Sequence, residues 1–202
     1  MSKARIAVLV SGGGTNLQAL IDAQGRGEIA SGEITLVISN KADAYALTRA
    51  AEAGIPAVVI TKAGCGGDQE AFEEALLAQL AACEIDLIVL AGFMSILSKR
   101  FTDAYEKRIL NVHPSLIPAF CGEGFYGLRV HRAALDKGVK VTGATVHYVN
   151  EIPDGGEIIL QKAVCVEEGD TPETLQRRVM EQAEWIILPR AVEIVSKKLA
   201  EN

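Results

Sequence analysis

The sequence predicts a Rossmann-like α/β fold: a three-layer αβα sandwich around a mostly parallel, doubly wound sheet that gains an antiparallel strand near its C-terminal end. Three observations predict it. The first two-thirds of the chain alternates short, wholly apolar runs with segments of helical periodicity, the pattern of parallel strands covered on both faces. The first apolar run ends in a glycine-rich turn that opens a helix. After residue 138 two extended runs follow one another with no helix between them, as an antiparallel pair requires.

Each element has a local reason. Ile6 to Val10 is the first strand and stops at Ser11-Gly-Gly-Gly; Thr15 to Ala23 then reads as a helix. Ile34 to Ile38 is the second buried strand, and the helix near Ala44 to Ala53 is closed by Gly54, which tolerates the left-handed backbone of a helix end. Pro56 to Ile60 is the third strand. Asp68 to Ala82 is a helix, with Phe72, Leu76, Leu77 and Leu80 at helical spacing. Leu87 to Ala91 and Ile109 to Val112 are the fourth and fifth strands, the latter ending at His113-Pro114. Val139 to Val149 and Ile158 to Val166 form the antiparallel pair, joined by the turn from Asn150 to Gly156. Thr171 caps a long terminal helix with Pro172 at its first position. Pro189 is expected to kink or break that helix, because it lacks an N–H and its ring crowds the preceding turn. No linker, repeat or low-complexity tract divides the chain, so a single domain over residues 1–202 is expected.

Composition narrows the function. The chain has 202 residues, 49% apolar and 23% charged, with 20 basic residues against 26 acidic ones. A net charge of −6 repels polyanions, so nucleic-acid binding is not expected and a phosphorylated ligand needs a local device. The longest apolar stretch, Ile85 to Leu97, contains Asp86 and is short of the ~20 residues a bilayer crossing needs. The N-terminus has no secretory leader pattern, and a cytoplasmic location is expected. Cys65, Cys83, Cys121 and Cys165 form no CxxC pair and have no His at ligand spacing, which argues against disulfides and zinc.

In open α/β sheets ligands bind at the carboxyl ends of the strands, where strand order reverses. The loop Ser11-Gly-Gly-Gly-Thr-Asn16 lets the backbone turn tightly and presents free N–H groups at a helix N-terminus, which suits a phosphate. Leu17 stands at the third glycine position of the dinucleotide fingerprint, and no Gly-Lys-Ser/Thr follows, so NAD and ATP recede. Ala91-Gly-Phe-Met-Ser-Ile-Leu97 brings bulky apolar groups to a strand end, where they could wall a pocket for a flat heterocycle. In Asn111-Val-His113-Pro-Ser, strand alternation puts Asn111 and His113 on one side of the chain, and Pro114 keeps His113 extended. Asp154, in an Asp-Gly-Gly turn, could reach His113 if the turn folds back over the sheet; its charge would then favour the imidazolium. His131, in a helical stretch, and His147, inside a strand, are expected to be structural.

The ordered set Ser-Gly-Gly-Gly-Thr-Asn, Ala-Gly-Phe-Met-Ser-Ile-Leu, Asn-Val-His-Pro-Ser-Leu-Ile-Pro, Gly-Ala-Thr-Val-His and Asp-Gly-Gly resembles the phosphoribosylglycinamide formyltransferases of the folate-dependent formyltransferase superfamily. The resemblance runs from about Ile6 to Pro189 and implies an enzyme of purine synthesis with 10-formyltetrahydrofolate as co-substrate and no metal. It implies that Gly14, Thr15 and Asn16 hold the phosphate of glycinamide ribonucleotide, with Glu181 and Glu184 near its ribose and glycinamide end. It implies that Met94, Ser95, Ile96 and Leu97 line the pterin pocket, that Asn150, Glu151, Ile152, Pro153 and Asp154 form its other wall, and that Gln69 lies near the folate's glutamate tail. Asn111, His113 and Asp154 would be catalytic. The expected partners are these small molecules only, for a monomer or homodimer without nucleic acid or membrane.

Three positions depart from the family pattern. Ser95 and Gln69 stand where relatives commonly carry Arg, removing charges that would steer an anionic cofactor. Cys121 replaces a usual Pro, and the longer Gly122 to Gly127 stretch is expected to be a flap near the substrate. Formyl transfer by these residues needs donors for a developing oxyanion and a proton source for the departing nitrogen: Asn111 and a protonated His113, with Asp154 keeping the ring charged. Ser115 shows no sign of activation as a nucleophile. Four rivals fit less well. A tRNA formyltransferase needs an added RNA-binding domain, and a folate deformylase needs a preceding regulatory domain. A phosphosugar-binding regulator leaves the Asn-His-Asp set unexplained, and Leu17 disfavours a nicotinamide dehydrogenase.

Overall fold

The structure, a computed structural model, describes residues 2–201. Seven strands, β1 (Ala4–Val10), β2 (Gly32–Ser39), β3 (Ala57–Val59), β4 (Leu87–Leu90), β5 (Ile109–His113), β6 (Val141–Tyr148) and β7 (Ile158–Cys165), form one sheet in the order β3-β2-β1-β4-β5-β6-β7. β1 to β5 are parallel, β6 runs antiparallel to β5, and β7 is antiparallel to β6. The expected fold class is the observed one. The chain moves from β1 outward through β2 to β3, then returns to the other side of β1 at β4, so the switch in strand order lies between β1 and β4.

Alternation within β1 explains its unbroken apolar run. Ile6, Val8 and Val10 enter the core on one face of the sheet, and Ala7 and Leu9 enter the core on the other. The first face is covered by α1 (Thr15–Gly25), α2 (Tyr45–Glu52) and α7 (Trp185–Ala200), through residues such as Leu17, Leu20, Ala46, Leu188 and Val192. The second is covered by α3 (Gln69–Ala82) and α4 (Lys99–Ala104), through Phe72, Leu76, Leu80 and Phe101. The strands and the helices through α3 follow the sequence reading to within a few residues, whereas α4 has too short an apolar period to be seen in advance. Asp68 caps α3 by accepting the Ala71 N–H at 2.8 Å. α5 (Leu128–Lys137) leads into β6, and α6 (Pro172–Val179) starts with the expected cap, where Thr171 and Thr174 bond reciprocally to each other's backbone N–H.

The terminal helix differs from expectation. Pro189 neither breaks nor ends it: α7 runs through Pro189 from Trp185 to Ala200. The irregularity lies one turn earlier, at Met180–Glu184, which is π-helical, with the Trp185 N–H bonded to the Met180 carbonyl. The physical reason is local. Pro189 cannot bond the carbonyl of Trp185 and crowds it, and a widened turn just before that carbonyl absorbs the misfit while the buried flanks of α6 and α7 stay packed. Among the described residues, no helix is long and apolar enough to cross a membrane, and the four cysteines are unpaired.

Candidate active site

The site begins with two residues on one strand. Asn111 and His113 lie two apart on β5 and so project to the same side, as expected. β6 then adds a third group: in the antiparallel register Asn111 faces His147. Asn111 Nδ2 lies 3.2 Å from His147 Nε2. His147 Nδ1 donates to the Tyr148 carbonyl at 2.7 Å, which leaves Nε2 as the acceptor of the amide N–H in the neutral ring.

The turn after β6 brings in the fourth group. Asp154 adopts a left-handed backbone, φ 55°, a conformation Asp tolerates better than most residues. The glycines behind it have a steric cause. A Cβ on Gly156 would fall 1.7 Å from the Tyr148 carbonyl oxygen, so only glycine lets the turn close against β6. Closed this way, the Asp154 carboxylate accepts the Gly122 N–H at 2.9 Å and stands 3.3 Å from His113 Nδ1 and 3.5 Å from His147 Nε2. Asn111 Nδ2 reaches the same carboxylate only at 3.5 Å, so one of its two N–H groups is weakly engaged.

Electrostatics correct one expectation. Burial pushes the His113 ring below its ordinary pKa, outweighing the upward pull of Asp154 and the Phe120 carbonyl, so the free protein holds this ring neutral at neutral pH. The expected imidazolium is not the resting state, because the ring is almost wholly removed from water. Burial alone would raise the Asp154 carboxyl, but the adjoining His147 and His113 rings and the bond from the Gly122 N–H outweigh it and leave it below the usual range. His113 Nε2 donates to the Phe120 carbonyl at 2.8 Å, so both ring nitrogens face acceptors. The imidazolium would satisfy both, and it is opposed chiefly by desolvation, with a lesser contribution from His147. Ser115 donates to the Ala119 carbonyl at 2.5 Å, turned to the backbone and away from any base, in line with its unactivated expectation.

A cavity of about 750 Å³ runs from this cluster to the start of α1 and is lined by Thr15, Asn16, Met94, Asn111, His113 and Glu184 among others. The α1 N-cap is Gly14 in a left-handed conformation, φ 71°, with no side-chain cap and no acidic residue in the first turn, so the helix's first N–H groups are left for a ligand. Asn16 Nδ2 donates to Glu184 Oε2 at 2.8 Å. Burial raises the Glu184 carboxyl to about 7 against that hydrogen bond. The Gly122–Gly127 stretch lines the same cavity, where a flap was expected. A smaller cavity of about 140 Å³ adjoins it at Asn111, walled by Leu90, Phe93, Leu97 and Val149 and by Asn150 to Asp154. The two share Phe93, Ser95, Ile96, Asn111, Pro153 and Asp154.

Several anticipated residues sit elsewhere. Met94 lines the larger cavity and not the smaller one. Glu181 is exposed and off both cavities; Gln176, Met180 and Glu184 are the terminal-helix residues on the wall, spaced one turn apart. Gln69 lines neither cavity. Its Nε2 donates to Glu73 Oε1 at 2.7 Å and to the Ile96 carbonyl at 3.2 Å, bracing the loop from behind. Ser95 does line both cavities, while its hydroxyl accepts from Asn40 Nδ2 at 2.9 Å. His147, expected to be structural, belongs to the site. Its signal was the β5–β6 register, which no turn sets because α5 lies between the two strands. The Phe120 carbonyl and Gly122 N–H are backbone groups and leave no trace in residue type. His131 is buried in α5, has no partner for either ring nitrogen and is pushed by burial to about 4, so it stays neutral.

An open α/β sheet with an uncapped helix start, an Asn–His–Asp cluster and a shared cleft at the strand switch defines a protein suited to acyl transfer between two ligands. The chain belongs to the formyl transferase family, whose pattern it matches over residues 4–192. It is 44% identical over 188 residues to the phosphoribosylglycinamide formyltransferase of Haemophilus influenzae, covering 93% of this chain and 85% of that protein. It is 47% identical over 203 residues to the human trifunctional purine biosynthetic protein adenosine-3, covering 99% of this chain and 19% of that protein. The chain thus spans about a fifth of the length of such trifunctional relatives. Glycinamide ribonucleotide transformylase 1 from Symbiobacterium toebii has a similar structure, with TM-score 0.90 and 45% identity over 97% of this chain and 89% of that one.

Proposed function

We propose that this chain transfers the formyl group of 10-formyltetrahydrofolate to the amine of N1-(5-phospho-D-ribosyl)glycinamide in purine synthesis. The observation that carries the reading is the meeting of Asn111, His113 and Asp154 in one cleft with the uncapped start of α1. The donor's ring fits the smaller cavity, between the apolar wall of Leu90, Phe93, Leu97 and Val149 and the turn from Asn150 to Asp154. The acceptor's phosphate sits at α1, with Thr15 and Asn16 as donors, and its ribose end meets Glu184.

The residues then divide the chemistry. When the amine attacks the formyl carbon, a C–N bond forms and the carbonyl oxygen takes negative charge. The weakly engaged N–H of Asn111 is aimed at that oxygen, and His147 holds the amide in orientation. The attacking nitrogen must lose one proton and the departing folate nitrogen must gain one, so no net proton is consumed. His113, neutral at rest, takes up that proton and returns it, and Asp154 stabilises the transient imidazolium. Substrate replaces the Phe120 carbonyl at His113 Nε2, and the neutral ring's single proton then rests on Nδ1 toward Asp154, which frees Nε2 to take the amine's proton. The attacking amine is itself the nucleophile, so no covalent enzyme intermediate is needed.

Incubation with 10-formyltetrahydrofolate, with and without glycinamide ribonucleotide, tests this by folate absorbance. A change that depends on the ribonucleotide is the expected result. A change without it indicates a deformylase, and no change indicates a binding protein; either overturns the reading.

A further inference from the structure

Behind the Ser11–Asn16 turn, α2 takes the turn's outward carbonyls one after the other. The Ala46 N–H donates to the Gly12 carbonyl at 3.0 Å, and Arg49 Nε donates to the Gly13 carbonyl at 2.8 Å. Arg49 Nη1 continues to Gln18 Oε1, one turn into α1, at 3.0 Å, and its guanidinium lies 5.1 Å from the centre of the Tyr45 ring. Ala46 backs Gly14 so closely that a Cβ there would come within 2.7 Å of the Ala46 Cβ. In a planar trans peptide the carbonyl and the next N–H point in opposite directions. Holding the carbonyls of Gly12 and Gly13 against α2 therefore turns the N–H groups of Gly13 and Gly14 away from it.

Charge gives a second argument. Among the described residues, neither cavity is lined by Lys or Arg, whereas Glu123, Glu151, Asp154 and Glu184 are on their walls. A phosphate at α1 therefore meets neutral donors with acids nearby, and the cation bonded to its turn is Arg49, on the far side of the Gly13 peptide.

We propose that Arg49 is a positioning residue for the acceptor's phosphate. Its forked guanidinium locks the turn so that the amides of Gly13 and Gly14 are presented, and it supplies from behind the positive charge the cavity wall lacks. The inference rests on the reading of the acceptor as a phosphorylated molecule. It stands or falls separately from formyl transfer, because inorganic phosphate alone reports on it.

The test uses the full chain as wild type, Arg49→Ala and Arg49→Lys, each checked for folding by thermal unfolding. Steady-state kinetics should show the acceptor KM of Arg49→Ala raised about tenfold or more, the loss of one charged hydrogen bond, with donor KM and kcat within about twofold. Arg49→Lys keeps the charge but loses the fork and should fall between the two. In parallel, inorganic phosphate titrated into the isotope-labelled protein should shift the amide signals of Gly13 and Gly14 in wild type and shift them far less in Arg49→Ala. An unchanged acceptor KM, an equal rise in both KM values, or phosphate shifts in the variant that match wild type would overturn the proposal. If Arg49→Ala does not fold, Arg49→Lys carries the test, and phosphate shifts indistinguishable from wild type in that variant overturn it. Absence of formyl transfer by a wild type whose glycine amides still respond to phosphate through Arg49 would overturn the enzymatic reading and uphold this one.

Discussion

Asn111 and His147 face each other across the β5–β6 ladder, with the amide nitrogen 3.2 Å from the imidazole Nε2. Because His147 Nδ1 is spent on the Tyr148 carbonyl, Nε2 accepts from Asn111 and fixes which way the amide points. The pair acts as one unit. Asn111→Ala should fold normally and lose about 10²–10³ in kcat, the usual cost of one oxyanion donor. His147→Ala should lose less, and the double variant should be no worse than Asn111→Ala alone. Additive losses in a double-mutant cycle would show that the two act independently.

The ionisation of His113 gives a pH test. Its folded pKa lies below its ordinary value through burial, so the stability it contributes is present above the unfolded value near 6.5 and is lost as pH falls through the folded value. Asp154→Asn removes the charge that opposes this depression. The ring should then titrate at still lower pH, which a histidine proton titration by NMR reads directly. Formyl transfer should fall sharply in the same variant, since the transient imidazolium loses its counter-charge.

Glu184 titrates with the opposite sign. Its carboxyl is raised from 4.5 to about 7, so its contribution to stability is present below 4.5 and is lost as pH rises through 7, on the order of 3 kcal/mol in all. Glu184→Gln keeps an oxygen for Asn16 Nδ2 and removes the buried charge. The variant should be more stable than wild type at pH 8 in urea unfolding, with a smaller gap at pH 5. Its acceptor KM should rise.

Gly156 tests how the turn is built. An Ala there must push the Tyr148 carbonyl away, and that carbonyl holds His147 Nδ1. Gly156→Ala should therefore lower stability by a few kcal/mol and lower kcat as Asp154 and His147 are displaced together. Unchanged kinetics in a folded Gly156→Ala protein would mean that the turn's position does not govern the site.

Much of this protein was legible before any fold was drawn. Strands apolar throughout, such as Ile6–Val10, and the i, i+4 apolar spacing of Phe72, Leu76 and Leu80 are local patterns, and local patterns specify the elements and the α/β class. The anion-ready turn at Gly14 and the shared side of Asn111 and His113 are equally local, since they follow from glycine's freedom and the two-residue period of a strand. Only the tertiary structure decided that His147 belongs to the site, that Gln69 braces the Ile96 loop and lines neither cavity, and that Met180 and Gln176 replace Glu181 on the wall. It also decided that His113 rests neutral. Proximity across strands and removal from water depend on which distant segments pack together, and single-segment patterns carry no record of either.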